Sequence, residues 1–279
     1  MSAPPTSTDP GADAEPKPTA PLRLDSALLK IVAIGLVAGL FSSLFGVGGG
    51  VVAVPLLMML AGLPAREATG TSLAAIVITA TVGATLYAIE GEVDFARAAL
   101  VGIPAVGGVL FGTALQQRIP ARNLTFAFAA LLVAIGLWML LGDGTEAAAG
   151  ASADTRAIVA ALAAGIAAGI LAGLFGVGGG ILFVPALAAL GLGQLSAEAT
   201  SLVAVIPTVA VGAYRQHGYG NVRIRTACIL GISSVAGVYA GVLVALAADE
   251  SHLRRLFGVL LLATAVQLAW KSAKATKRA

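Results

Sequence analysis

Apolar residues run along this chain in long unbroken stretches, at positions 27–62, 71–89, 98–115, 124–142, 157–193, 200–214, 226–248 and 256–270. Apolar character that is continuous, not alternating, belongs to buried helices and not to the strands of a membrane barrel. Several stretches reach the roughly 20 residues that a helix needs to cross a bilayer. The pattern predicts an all-α polytopic membrane protein.

The first and fifth stretches carry an anomaly. "LFGVGGG" occurs at Leu44 to Gly50 and again at Leu174 to Gly180, each time inside apolar sequence and each time followed by Val-Pro, at Val54-Pro55 and Val184-Pro185. Around these motifs the chain repeats itself. The offset is 130 through the prolines and 129 beyond, where Val82-Gly83 matches Val211-Gly212 and Gly108-x-x-x-Gly112 matches Gly237-x-x-x-Gly241. A small gap lies between. There Glu67-Ala68-Thr69 resembles Glu198-Ala199-Thr200, while Thr71-Ser72-Leu73 resembles Thr200-Ser201-Leu202. The expected organisation is a disordered cytoplasmic tail over 1–25, a first transmembrane repeat over 26–141, a small-residue linker over 142–156, a second repeat over 157–270 and a basic cytoplasmic tail over 271–279. The tail lacks a basic segment before an apolar core, so it does not read as a cleaved signal peptide.

The number of crossings stays open between eight and ten. If each glycine segment merely breaks one spanning helix, a half makes four crossings and the halves run parallel. If it joins a full helix to a shorter one in a hairpin, a half makes five and the second half is inverted. Residues 51–60 are too long for a turn, which favours inversion. Lys and Arg sit mainly on the side of the two termini in either scheme, which places both termini in the cytoplasm.

Composition then narrows the class. The chain is 58% hydrophobic and 11% charged, with a mean hydropathy of +0.94, whereas soluble domains carry about 25% charged residues. A net charge of +3 does not suggest nucleic-acid binding. The single cysteine, Cys228, excludes a disulfide framework.

Gly35/Gly39, Gly108/Gly112, Gly165/Gly169/Gly173 and Gly237/Gly241 have the spacing of close helix packing. The consecutive Gly48-Gly49-Gly50 and Gly178-Gly179-Gly180 do not, because they cover most of a helix circumference. With Gly46 and Gly176 they read as helix breaks. A helix restarting after each would present bare N–H groups and its positive dipole end, and two such starts near the midplane would hold an anion without a charged side chain. A nucleotide-binding loop fails on detail, since Val51 stands where a dinucleotide fingerprint needs glycine and no lysine follows.

The paired "GxGGG…VP" motifs in a duplicated membrane core resemble the TauE/SafE family of sulfite and organosulfonate exporters, over nearly the whole chain from about Leu28 to Trp270. The resemblance implies a multi-pass plasma-membrane permease for small sulfur-containing or carboxylate anions. Substrate contacts are expected at Gly46, Gly48, Gly49, Gly50, Thr71, Ser72, Gly176, Gly178, Gly179, Gly180, Thr200 and Ser201. The four hydroxyl residues read either as caps opening the next helix or as donors to the anion. Gating or coupling falls to Pro55, Pro185, Arg215, His217 and Glu90, the last three in "AYRQHGYGN" and "LYAIEGEVD", which occupy matching places in the two halves. Tyr87, Tyr214, Tyr219, Trp138 and Trp270 read as interface anchors.

No cofactor or metal is expected, and the partners are a small anion and the lipid bilayer, with coupling to protons and homo-oligomerisation left open. The function expected is secondary export of small anions. The alternatives are an anion channel, or an intramembrane enzyme or scaffold. An enzyme is poorly supplied: no His-Glu-x-x-His is present, and Gly70-Thr71-Ser72-Leu73-Ala74 fails the nucleophile pattern at its last position.

Overall fold

The computed structural model describes residues 24–141 and 155–247, with single positions between 259 and 266. The expected tails, apart from Leu24 and Asp25, which open the first helix, lie outside the described residues, as do most of the linker and most of the second repeat beyond 247. The described elements are α1 (Leu24–Phe45), α2 (Gly50–Leu60), α3 (Ala65–Ile89), α4 (Phe95–Arg118), α5 (Ala121–Leu141), α6 (Thr155–Phe175), α7 (Gly180–Ala189), α8 (Gln194–Gly218) and α9 (Ile224–Ala247). Helices α1, α3, α4, α6, α8 and α9 are long and apolar enough to cross a membrane. Helices α2 and α7 have 11 and 10 residues. At 1.5 Å per residue they extend about 15 Å, half of the roughly 30 Å hydrocarbon.

Glycine contacts fix the relative directions. Gly35 faces Leu230 and Ser233 of α9, Gly39 faces Ser234, and Gly241 faces Leu40 and Ser43. Positions rise together, so α1 and α9 run parallel. Gly165 faces Val101, Gly169 faces Ala105 and Gly173 faces Val109 and Gly112, so α6 and α4 run parallel too. Helix α3 follows α9 in the same sense, with Gly231 against Ala75 and Ile78, and Gly83 against Val238. Against α8 it is antiparallel: Gly83 meets Leu202 while Gly212 meets Leu73. Since α8 is the counterpart of α3, the halves are inverted. The hairpin reading of the first apolar stretch is the one observed, and each half holds a full helix followed by a half-length one. Helices α1, α3 and α9 start at one face, here the N-terminal face. The chain enters α6 from the far face.

The halves are interleaved. The most extensive packing joins the first helix of each half to the fourth of the other, α1 to α9 and α6 to α4. Small residues allow it. A Cβ on Gly39 would stand 2.9 Å from the Ser234 Cα, and one on Gly169 would stand 2.8 Å from the Ala105 Cα. Without a water-driven force between helices in lipid, this close backbone approach supplies the packing energy.

Polar residues finish the helix ends at each face. Asp94 caps α4, its Oδ1 accepting from the Arg97 N–H at 2.9 Å. Arg66 Nη2 donates to the Gln117 and Ile119 carbonyls at 3.1 and 2.9 Å, closing the C-terminal end of α4. One expectation needs correction. Thr71-Ser72 and Thr200-Ser201 do not open α3 and α8, which begin at Ala65 and Gln194 after the caps Pro64 and Gly193. The polar turn Arg66-Glu67 belongs to α3 at the membrane face, and the hydroxyls lie two turns deeper.

The inverted arrangement predicts that reporters fused at the N-terminus and near residue 150 respond from opposite sides of the membrane; activity from the same side would require parallel halves.

Candidate functional site

The breaks are built by backbone conformations that glycine adopts without steric cost. Gly46, Gly48 and Gly49 have φ of 62°, 77° and 75°, and Gly176, Gly178 and Gly179 have 74°, 85° and 88°. Gly49 and Gly179 are left-handed N-caps of α2 and α7. The chain folds back at each: Gly49 lies against Ala38 and Ser42, and Gly179 against Ala168. From there α2 descends to the N-terminal face and α7 climbs to the far face.

The two break loops meet. A Cβ on Gly50 would lie 2.7 Å from the Val177 Cα, and one on Gly180 would lie 2.6 Å from the Val47 Cα. Gly48 and Gly178 both face Val205. Both half-helices therefore start in one cluster, near the level where α3 and α8 cross. Two hydrogen bonds cross between the halves here: Ser72 Oγ donates to the Gly176 carbonyl at 3.0 Å, and Ser201 Oγ donates to the Gly46 carbonyl at 2.5 Å. A second matched pair holds the turns. The Arg223 N–H donates to Thr71 Oγ1 at 3.1 Å, and the Asp94 N–H to Thr200 Oγ1 at 3.0 Å.

These pairs settle the internal register. From α3 onward the offset is 129, and the missing residue lies within α7. Glu198 therefore stands at the place of Thr69, not of Glu67. The packing agrees, for Gly46 sits on the Glu198 backbone as Gly176 sits on that of Thr69. The buried Glu198 carboxylate accepts from Gln194 Nε2 at 2.7 Å.

In the first turns of the half-helices, Gly49 O accepts from the N–H groups of Val52 and Ala53, and Gly179 O from those of Leu182 and Phe183. The N–H groups of Gly50, Val51, Gly180 and Ile181 precede these bonds and find no acceptor among the described residues. Ser42, 1% exposed, has an unpartnered Oγ in the turn of α1 on which Gly49 packs. Its signal in the sequence is a Ser-Ser pair inside an apolar run, four residues before the break, with Ala172-Gly173 as counterpart.

The structure thus gathers the predicted glycines, Ser72 and Ser201 in one place, with Thr71 and Thr200 anchoring the turn that enters the next helix from each side. The remaining candidates lie elsewhere. Pro55 and Pro185 are inside α2 and α7, five residues past the start, and do not end them. Arg215 and His217 are in the last turn of α8 at the N-terminal face, where Arg215 Nη2 donates to the Tyr219 hydroxyl at 2.8 Å. Glu90 caps α3 at the far face and is exposed. These three do not converge. Tyr87 is not an interface anchor: it is 0% exposed, and its hydroxyl donates to the Ser43 carbonyl at 2.8 Å. Tyr214 and Tyr219 are exposed near the end of α8, as anchors would be. The Trp138 side chain and Trp270 lie outside what is described. Sequence reading also passed over Gln116 and Gln216, both 0% exposed in the last turns of α4 and α8.

Inverted repeats, glycine-broken helices and six helices of spanning length define a multi-pass membrane protein of transporter architecture. The sequence profile of the family described as "Sulfite exporter TauE/SafE" matches residues 31–162 and again residues 160–279, one match for each half. The chain is similar to a "Probable membrane transporter protein" of Xylella fastidiosa, strain Temecula1, at 30% identity over 258 residues, covering 90% of this chain and 98% of that protein. It is also similar to the probable membrane transporter protein YdhB of Bacillus subtilis, at 29% over 76% of this chain and 87% of that protein. A probable membrane transporter protein of Methanocaldococcus jannaschii is 26% identical over 83% of this chain and 91% of its own length. No solved structure gives a significant match. The chain belongs to the TauE/SafE family of membrane transporter proteins.

Replacing Ser72 or Ser201 by alanine leaves a buried loop carbonyl unpaired, at a cost of about 1–3 kcal/mol. Each variant should melt a few degrees below the parent in detergent, at roughly 2–4 °C per kcal/mol for a chain of this size; an unchanged midpoint would mean that the bonds hold nothing.

Proposed function

We propose that this protein is a secondary transporter that exports small anions, such as sulfite or organosulfonates, across the plasma membrane, with the N-terminal face in the cytoplasm. The observation that carries the reading is the pair of half-helix starts, one from each half, whose first N–H groups lack acceptors in a buried cluster. Free amides and the positive ends of two helix dipoles attract negative charge without any cation. The Ser42 hydroxyl is a further donor within the same fold of chain. Arginines support the orientation. Arg66, Arg118, Arg122, Arg215, Arg223 and Arg225 fall on the N-terminal face, and Arg97 and Arg156 on the far face, as the positive-inside rule asks of a cytoplasmic side.

Contact between the two loops favours alternating access over a channel. Gly50 on Val177 and Gly180 on Val47 leave no gap at the seam, so a solute reaches the amides only when the loops separate toward one face. Glycine is required at the caps by conformation as well as by space. A leucine at position 49 would be strained at φ 75° and would meet the Ala38 carbonyl oxygen at 2.7 Å. Gly49→Leu and Gly179→Leu should abolish sulfite and sulfonate flux in vesicles while the protein still inserts, and Ser42→Ala should weaken apparent affinity with little change in maximal rate. Undiminished flux in both leucine variants would rule out the helix-start site.

A further inference from the structure

The breaks leave orphan carbonyls at the ends of α1 and α6, and the two ends are held by different chemistry. Ser43 O, in the last turn of α1, accepts from the Tyr87 hydroxyl at 2.8 Å. Leu174 O, in the last turn of α6, accepts from Gln116 Nε2 at 2.6 Å. Gln116 Oε1 in turn accepts from Gln216 Nε2 at 2.6 Å, and Gln216 Oε1 accepts from Asn221 Nδ2 at 2.8 Å. Tyr87 and Gln216 occupy equivalent positions, 129 residues apart. One half thus pins the end of its broken helix with a single phenol. At the other end a relay of amides does the same task, passing through a glutamine of the opposite half.

The two devices also sit on opposite sides of the seam. Tyr87 is in the last turn of α3, at the far face, beside the Gly46 loop. Gln116 and Gln216 are in the last turns of α4 and α8, at the N-terminal face, beside the Gly176 loop. A carbonyl in this environment can leave its donor only if water takes the donor's place. Breaking either bond is therefore tied to hydration of the side on which it lies.

We propose that Tyr87 and the Gln116–Gln216–Asn221 relay are positioning residues that latch the two exits of the central cluster, Tyr87 the far exit and the relay the exit at the N-terminal face. This rests on the transporter reading above, and it adds which bonds must break for each side to open. The built asymmetry gives the far exit one bond and the other exit three in series.

The test uses accessibility and needs no substrate. In a Cys228→Ser background, Val47→Cys and Val177→Cys place single thiols in the two break loops, at residues 4% and 1% exposed. Tyr87→Phe keeps the ring and removes only the donor. It should raise labelling of position 47 by a membrane-impermeant maleimide applied from the far face about tenfold, the factor for a buried bond of this kind. Position 177 labelled from the N-terminal face should not change. Gln216→Met should do the reverse, and Gln116→Met provides the same loss of relay should that variant fold poorly. Unchanged rates, or a rise at both positions from both faces, would overturn the latches. Failure of the parent protein to move sulfite or sulfonates would instead remove the transporter reading and leave the labelling result standing.

Discussion

A backbone polar group inside a bilayer must have a partner, and the two glycine breaks create more such groups than their own helices can satisfy. The last carbonyls of α1 and α6 and the loop carbonyls of Gly46 and Gly176 belong to buried residues packed among other helices. Each of the four that is satisfied takes its donor from a side chain on a different helix: Tyr87 for Ser43, Gln116 for Leu174, Ser201 for Gly46, Ser72 for Gly176. Unpaired, each would cost about 1–3 kcal/mol. Three of these donors come from the half opposite to the carbonyl they serve. A single half would therefore carry a break it could not close.

The same constraint explains the interleaving. A donor from the other half must reach the break, so α3 and α8 have to lie against the opposite loop. Parallel pairing of α1 with α9 and of α6 with α4 brings them there. Glycines at Gly35/Gly39, Gly165/Gly169/Gly173, Gly108/Gly112 and Gly237/Gly241 then let the paired backbones come close enough for packing to hold the scaffold.

Much of this was legible in the sequence. Four glycines in five apolar positions, recurring at a fixed offset, marked the breaks, and the length of residues 51–60 pointed to half-helices and inversion. The register across the gap was not legible. Glu67-Ala68-Thr69 and Glu198-Ala199-Thr200 match by identity, yet the cross-half bonds of Thr71 and Thr200 align Glu67 with Ser196. Local likeness of three residues was outweighed by the geometry of contacts between halves. Tyr87 was misread because a tyrosine near the end of an apolar run resembles an interface anchor, and only the fold reveals that α1 ends beside it. Gln116 and Gln216 escaped for a related reason. A polar residue at the end of a spanning helix usually meets water, and nothing local shows that these two point inward to another helix end.

The sign proposed for the site rests on the first turns of the two half-helices. Ser72, Ser201, Tyr87 and Gln116 are each directed at a carbonyl, so one terminal carbonyl of α1, one of α6 and the two loop carbonyls have specific donors. No acceptor is directed at the first N–H groups of α2 and α7 among the described residues, and the unpartnered Ser42 hydroxyl is one more donor close to them. Carboxylates do exist in the protein, but Glu198, the one buried beside the Gly46 loop, accepts from Gln194, and Glu92 accepts from Ser196. The proposed preference for an anion therefore rests on the amides at the two helix starts and their dipoles, together with the Ser42 hydroxyl beside them.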